Sequence, residues 1–318
     1  KIWSTIDIPK QELAETVVRE IAEKNEKNFK AKNAALVSID PATGQILAMV
    51  GSRDYFDIEN DGNVNVVTRP RQPGSSFKPI VYAAAFTKGY TPEMKLFDVE
   101  TTFTTDVGDY APKNYDGKEH GVVSLRQALA GSLNIPSVKL LYLTGIDTVL
   151  ALAESIGYTT FSDRSRFGLS LVLGGGEVKL LEHTAACGAF ARNGELFKTT
   201  GILKVEDAEG KIIEEYKKQK KKVVDTNVAR IITNILSDND ARSFIFGVTN
   251  YLTLPNRPVA AKTGTTNNFI DAWTVGYTPS LVTGVWVGNN DNTPMKKGAD
   301  GSQIAAPIWQ RFMSEVLK

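Results

Sequence analysis

One cysteine and two histidines are all the thiol and imidazole that 318 residues carry. Cys187 alone rules out an internal disulfide, and its apolar setting in Thr184-Ala-Ala-Cys-Gly-Ala-Phe190 suits packing better than a reactive thiol. With only His120 and His183 beside it, a zinc site would need mostly carboxylate ligands, which disfavours a metalloenzyme. Charge of one sign is missing too. Thirty-seven basic and 36 acidic side chains leave a formal net of +1, so no field points to nucleic acid or an anionic membrane. No apolar run reaches the length of about 18 residues that spans a bilayer, and no signal-peptide pattern occurs. The chain opens on Lys1, so a processed segment is expected, with any anchor, secretion signal or preceding domain upstream. What is present is a globular composition, 42% hydrophobic, enough for a substantial core.

Apolar residues Leu13, Val17, Val18 and Ile21 recur at helical spacing within Lys10–Phe29, which predicts an amphipathic entry helix. Ala35–Ile39 and Gln45–Val50 are β-rich and parted by Asp40-Pro-Ala-Thr-Gly44, a hairpin signal. Between Ser76 and about Leu181 helical patterns dominate: Phe77–Phe86, Ser124–Ala130, Ser137–Leu143 and Asp147–Ile156. A second hairpin is predicted over Ile202–Tyr216, followed by the basic run Lys217–Lys222, which reads as a solvated strand exit. A helix over Asn227–Leu236, strands over Val259–Thr265, Ala272–Tyr277 and Leu281–Val287, and a last helix over Ala305–Leu317 complete the pattern. The simplest assembly is an α+β fold: one antiparallel sheet built from both termini, helices on its faces, and a mostly helical insert beside it leaving a cleft. No internal repeat is found.

Arg71-Gln-Pro-Gly-Ser-Ser-Phe-Lys-Pro79 places Ser75 near a helix start and Lys78 on the same face three residues on. A serine hydroxyl needs a base to become a nucleophile, and a lysine kept neutral by burial or a neighbouring cation can supply one. Taken alone the pair reads equally as a helix start with a solvated lysine. Ala128-Leu-Ala-Gly-Ser-Leu-Asn-Ile-Pro136 puts Ser132 and Asn134 on a loop between two helical patterns, where they can face the cleft or simply cap a helix. Ala261-Lys-Thr-Gly-Thr-Thr266 lies on a strand. Lys262 and the hydroxyls of Thr263 and Thr265 can face one side with donors suited to a carboxylate, and Gly264 would let a substrate backbone lie close; an exposed edge strand is the alternative.

Ser237-Asp-Asn239 is set aside as the terminator of the preceding helix, and Gly174-Gly-Gly176 as a turn, since it lacks the ending of a phosphate loop. Neither histidine neighbours a nucleophile motif: His120 sits in a polar stretch and is expected at the surface, His183 in an apolar helix and is expected to pack.

Together, Ser-x-x-Lys, Ser-x-Asn and Lys-Thr-Gly in this order resemble the penicillin-binding proteins and serine β-lactamases. Leu173-Gly-Gly-Gly-Glu-Val178, Ala189-Phe-Ala-Arg-Asn-Gly194 and Lys262-Thr-Gly-Thr-Thr266 extend the resemblance, over nearly the whole chain, to the transpeptidase domain of class A, bifunctional members. It implies a β-lactamase/transpeptidase-like domain over 33–318, with residues 1–32 a linker and helix and the helical insert at about 76–181. It further implies catalytic Ser75, Lys78, Ser132 and Lys262. Ser75 would attack the penultimate D-Ala carbonyl, Lys78 would take the proton, and the backbone N–H groups of Ser75 and Thr265 would form the oxyanion hole. Ser132 would protonate the departing D-Ala, and Asn134, Thr263, Gly264 and Thr265 would bind the donor peptide. The implied partners are D-Ala-D-Ala stem peptides, an acceptor-strand amine and β-lactams, outside the cytoplasmic membrane, with an upstream membrane anchor and glycosyltransferase domain; no metal, cofactor or nucleic acid is called for. Between Ser132 and Lys262 there is no Glu-x-x-Leu-Asn segment to supply a β-lactamase's deacylating base. A D,D-carboxypeptidase or a penicillin-sensing receptor domain would carry the same three motifs.

Overall fold

In the computed structural model, which describes every residue except Val107, the chain enters through strand β1 (Ile2–Ser4) and helix α1 (Ile8–Phe29). Asp7 caps α1 by accepting the Lys10 amide, Pro9 occupies its first turn, and Lys30 closes it in the left-handed conformation. Ala14, Val17, Val18 and Ala22 form its buried stripe. Strands β2 (Asn33–Ile39) and β3 (Ile46–Val50) make the predicted hairpin. After the short strand β4 (Pro70–Arg71), a 3-10 turn at Gly74–Phe77 runs directly into α2 (Lys78–Thr87).

The region that follows holds more strand than its pattern predicts. β5 (Lys95–Asp98) pairs with β8 (Gly121–Ser124), and β6 (Phe103–Thr105) with β7 (Gly108–Tyr110), before α3 (Leu125–Ala130), α4 (Ile135–Thr144) and α5 (Ile146–Ile156). Ladders of three or four partly exposed residues are too short to carry a readable alternation. β9 (Val178–Lys179) returns to pair with β4 and leads into α6 (Leu180–Ala191).

β10 (Glu195–Phe197) pairs with a strand inside the basic run, and the hairpin β11 (Ile202–Glu206) and β12 (Ile212–Glu215) joins β1 in a small separate sheet. The basic run therefore continues as a strand in its own right, β13 (Lys220–Lys222), fully exposed, with Lys220 paired to Glu195. Helix α7 (Thr226–Leu236) is followed by α8 (Asn239–Phe246), which the pattern does not announce. The chain ends with β14 (Ala260–Thr265), β15 (Asp271–Thr278), β16 (Leu281–Gly288) and α9 (Ala306–Val316).

The main sheet runs β14-β15-β16-β2-β3, with every neighbour antiparallel, so strands from both ends of the chain build it as expected. Helices α1 and α9 cover one face around Trp309; α6 covers the other, with α2 and α7 in the same core as Trp273 and Trp286. Gly276 leaves β15 bare where the Trp309 ring lies against it. Strand β14 stands at the sheet edge beside the 3-10 turn of Ser75, and the site is assembled there.

Candidate active site

The turn that carries Ser75 is pinned on both sides. Ser76 donates to the Pro73 carbonyl (2.6 Å) and meets His183 Nε2 (2.9 Å), while the Phe77 ring stacks edge-on against Tyr158 and Phe161. Gly74 adopts a left-handed φ of 56°. Its neighbours locked inside, Ser75 stays half-buried at the head of α2, and Lys78 is wholly buried at the first position of that helix.

Ser132 and Asn134 lie between α3 and α4. Ser132 has a left-handed φ of 60°, and Asn134 heads α4 without using its side chain as a cap, so the capping alternative does not apply. Both contact the lysines. Lys78 Nζ donates to the Ser132 carbonyl (2.6 Å) and to Asn134 Oδ1 (2.8 Å); Lys262 Nζ donates to Ser132 Oγ (2.8 Å) and to the Thr263 carbonyl (2.9 Å). Three remote segments therefore converge on one spot.

The resemblance gives Lys78 the proton of Ser75, yet among the described residues no hydrogen bond joins the two side chains. The acceptors Ser132 O and Asn134 Oδ1 draw the amine to the insert instead. Two donated bonds use both hydrogens of a neutral amine and leave its lone pair free. Burial, and then the Lys262 charge, hold Lys78 well below the ordinary lysine range. Lys262 is pushed down to about 7, first by burial and then by the Arg242 guanidinium.

Along β14 the expectation for the three donors fails. Ala260 belongs to the core around α2 and α6, and Ala261 to that around α1 and α9. A period of two puts Lys262 and Gly264 on the first side and Thr263 and Thr265 on the other. Gly264 also serves a different neighbour: a β-carbon there would overlap the Pro73 carbonyl and stand 3.0 Å from the Ser76 amide, so its bareness admits the nucleophile's turn. A β-carbon on Gly74 would fall 2.6 Å from the Thr265 nitrogen, which sets the backbone on either side of Ser75 against the Lys-Thr-Gly strand. Gly174, a left-handed turn residue as read, backs directly onto Gly74. Thr265 Oγ1 accepts the Gly301 amide (3.0 Å), joining the strand to the segment before α9.

Several polar residues at the site have no sequence signature. Arg242 of α8 is buried and donates to the carbonyls of Leu236 and Asp238; burial pushes it down to about 10. Asp98 and Asn114 lie buried behind Asn134, and His120, expected at the surface, is half-buried because Asp98 takes its ring. Ser237-Asp-Asn239 forms the corner between α7 and α8, where Asp238 caps α8 and pairs with Arg126 (3.1 Å). Cys187 is buried and its thiol pushed up to about 12, consistent with packing. A cavity of about 350 Å³ lined by Ile156, Leu196, Phe197 and Lys221 shares no residue with this cluster.

The family model for the penicillin binding protein transpeptidase domain matches residues 34–314. Penicillin-binding protein 1A of Aquifex aeolicus is 38% identical over 288 residues, 89% of this chain and 38% of that relative's length. Penicillin-binding protein 2D of Bacillus subtilis is 32% identical over 327 residues, covering all of this chain and 45% of its own. The chain thus spans less than half the length of these curated relatives. Among solved structures, PonA1 of Mycobacterium tuberculosis in complex with penicillin V superposes with a TM-score of 0.83 at 27% identity, covering 100% of this chain and 86% of that one. With the fold, the motif geometry and a family match over most of its length in agreement, the chain belongs to the penicillin-binding protein transpeptidase domain family.

Proposed function

We propose that the chain is a serine-type D,D-transpeptidase of peptidoglycan that β-lactams acylate at Ser75. The observation that carries this reading is the joint anchoring of Ser132 by Lys78 and Lys262 beside a Ser75 seated at a helix head. As Ser75 Oγ bonds to the penultimate D-Ala carbonyl carbon, its proton passes to the Lys78 lone pair. The carbonyl electrons move onto oxygen, which the Ser75 and Thr265 amides receive. Collapse breaks the C–N bond, and the departing D-Ala amine takes a proton from Ser132 Oγ, which Lys78 and Lys262 replenish. Asn134 holds the donor peptide amide, and the exposed edge of β14 receives its terminal carboxylate. An acceptor amine then attacks the ester, loses its proton along the same path, and frees Ser75.

The solved complex of PonA1 with penicillin V supports β-lactam binding by this relative. Class A kinship supports a site of action outside the cytoplasmic membrane, with an upstream anchor and glycosyltransferase domain; among the described residues no single helix is long and apolar enough to cross a bilayer. Intact mass after benzylpenicillin is the test: a stable adduct is expected on the chain and none on Ser75→Ala. Product analysis with a D-Ala-D-Ala stem peptide should give cross-linked peptide when an acceptor amine is supplied. D-Ala release without cross-linking would favour a carboxypeptidase, and sustained nitrocefin turnover a β-lactamase.

A further inference from the structure

Behind Asn134 lies a polar cluster that the acyl-transfer scheme leaves idle. Asp98, at the end of β5, is fully buried. Its carboxylate accepts Asn114 Nδ2 (2.9 and 2.8 Å), the His120 amide (3.1 Å) and His120 Nδ1 (2.6 Å). The oxygen of the Asn114 amide accepts the backbone N–H groups of Asn134 (2.8 Å) and Ile135 (3.3 Å). Its orientation is forced, since the nitrogen must face a carboxylate and the oxygen two donors. One buried anion thus fixes the start of α4, and with it Asn134 and the Lys78 amine bonded to Asn134 Oδ1.

A buried carboxylate without a counter-charge is costly and acts on its neighbours. The Asp98 charge favours the protonated form of Lys78 and acts likewise on Lys139 and Tyr82. A base in its field would be held occupied. His120 answers that charge: Nδ1 faces Asp98, Nε2 faces Asp116 Oδ2 (3.2 Å), and only the doubly protonated ring donates from both nitrogens. Phe244 of α8 packs edge-on against the ring at 5.7 Å, and a β-carbon on Gly131 would stand 2.5 Å from the same phenyl group, so α8 also backs the Ser132 loop.

We propose that Asp98, Asn114 and His120 are positioning residues for acylation: Asp98 holds Asn134 through Asn114, and the His120 imidazolium offsets the Asp98 charge so that Lys78 stays available as a base. The inference rests on the reading of Lys78 as the proton acceptor for Ser75. It predicts a specific pH signature. The rate of benzylpenicillin acylation of the full chain, followed by intact mass from about pH 5.5 to 9, is compared for the parent, H120Q and D98N/H120Q. In H120Q the acid limb should move up by about one pH unit, so that the rate on that limb falls about tenfold while the alkaline plateau stays within about twofold. Adding D98N should return the limb to the parent's position, at a lower plateau because Asn134 is less firmly held.

An H120Q limb that stays in place, a rate lowered equally at every pH, or a limb that D98N fails to restore would overturn the proposal. Should H120Q not fold, as judged by thermal unfolding, D98N alone decides: its limb must lie at or below the parent's, and one displaced upward refutes the inference. Absence of any adduct on the parent chain would instead remove the Ser75 reading, and this inference with it.

Discussion

Gly174 lies so close to Gly74 that a β-carbon on the former would overlap the backbone nitrogen of the latter. Both residues are left-handed, and the Thr265 backbone closes on Gly74 from another segment. Three stretches of main chain thus stack with no side chain between them, and the nucleophile is seated by that stack. Gly174→Ala is expected to lose about 1–3 kcal/mol from overpacking, with added strain at positive φ, and to slow acylation at least about tenfold. Thermal unfolding and adduct formation by mass check both. Gly168, where a β-carbon meets nothing within 4 Å, is the control whose alanine variant should change neither.

Lys78 acts as a base only while it can lose its proton. Lys78→Arg keeps hydrogen-bond donors but is fixed in the charged form and cannot be deprotonated, and Lys78→Met removes both the donors and the base. Both variants should acylate about 10² to 10⁴-fold more slowly than the parent. An arginine variant retaining parental rates would exclude general-base work at this position.

Lys262 links pH to stability in a direction unusual for lysine. Folded, it releases its proton near 7; unfolded, it keeps it to the ordinary value of 10.5. Between those values the unfolded chain binds more protons, so stability rises with pH across the window, and the cost of the buried charge is fully present below about 7. Lys78, lowered in the same sense, adds to the trend. The thermal midpoint of the parent should therefore gain on that of Lys262→Met between about pH 7 and 10. Parallel curves would contradict it.

His183 gives the opposite limb. Its ring bridges Tyr158 Oη (2.7 Å) and Ser76 Oγ (2.9 Å), and burial pushes it down to about 3 from 6.5. Below 6.5 the unfolded ring takes up a proton that the folded ring refuses, so stability is intact above 6.5 and lost progressively toward 3. Acidification from pH 7 to about 4 should lower the denaturant midpoint of the parent more than that of His183→Gln. Equal losses in the two would assign the acid limb elsewhere.

What could be read in advance follows from range. The hairpin at Asp40–Gly44, the helix of Val17 and Val18 and the strands around Lys262 and Trp273 announce themselves through local period and turn chemistry, and they are found where expected. The ladder of Lys95–Asp98 with Gly121–Ser124 is short and half exposed, so its alternation is lost among polar neighbours. Helix α8 starts at Asp238, whose capping role looks in sequence like the end of α7. At the site, Ser75, Lys78, Ser132, Asn134 and Lys262 were legible because three short motifs recur together. The sidedness of Thr263, the target of the Lys78 bonds and the Asp98 cluster were not, because each depends on contacts between segments that no local pattern encodes.

Ser38 of β2 meets Thr283 of β16 across 245 residues of chain, and β2 has no other main-sheet partner but β3. During synthesis the first hairpin must therefore wait, its apolar strands unsatisfied, until the 245 residues from Ser38 to Thr283 have emerged. Over that interval the unpaired strands are exposed to aggregation, and a truncation before β16 leaves the β2-β3 hairpin without its link to the strands beside the nucleophile's turn.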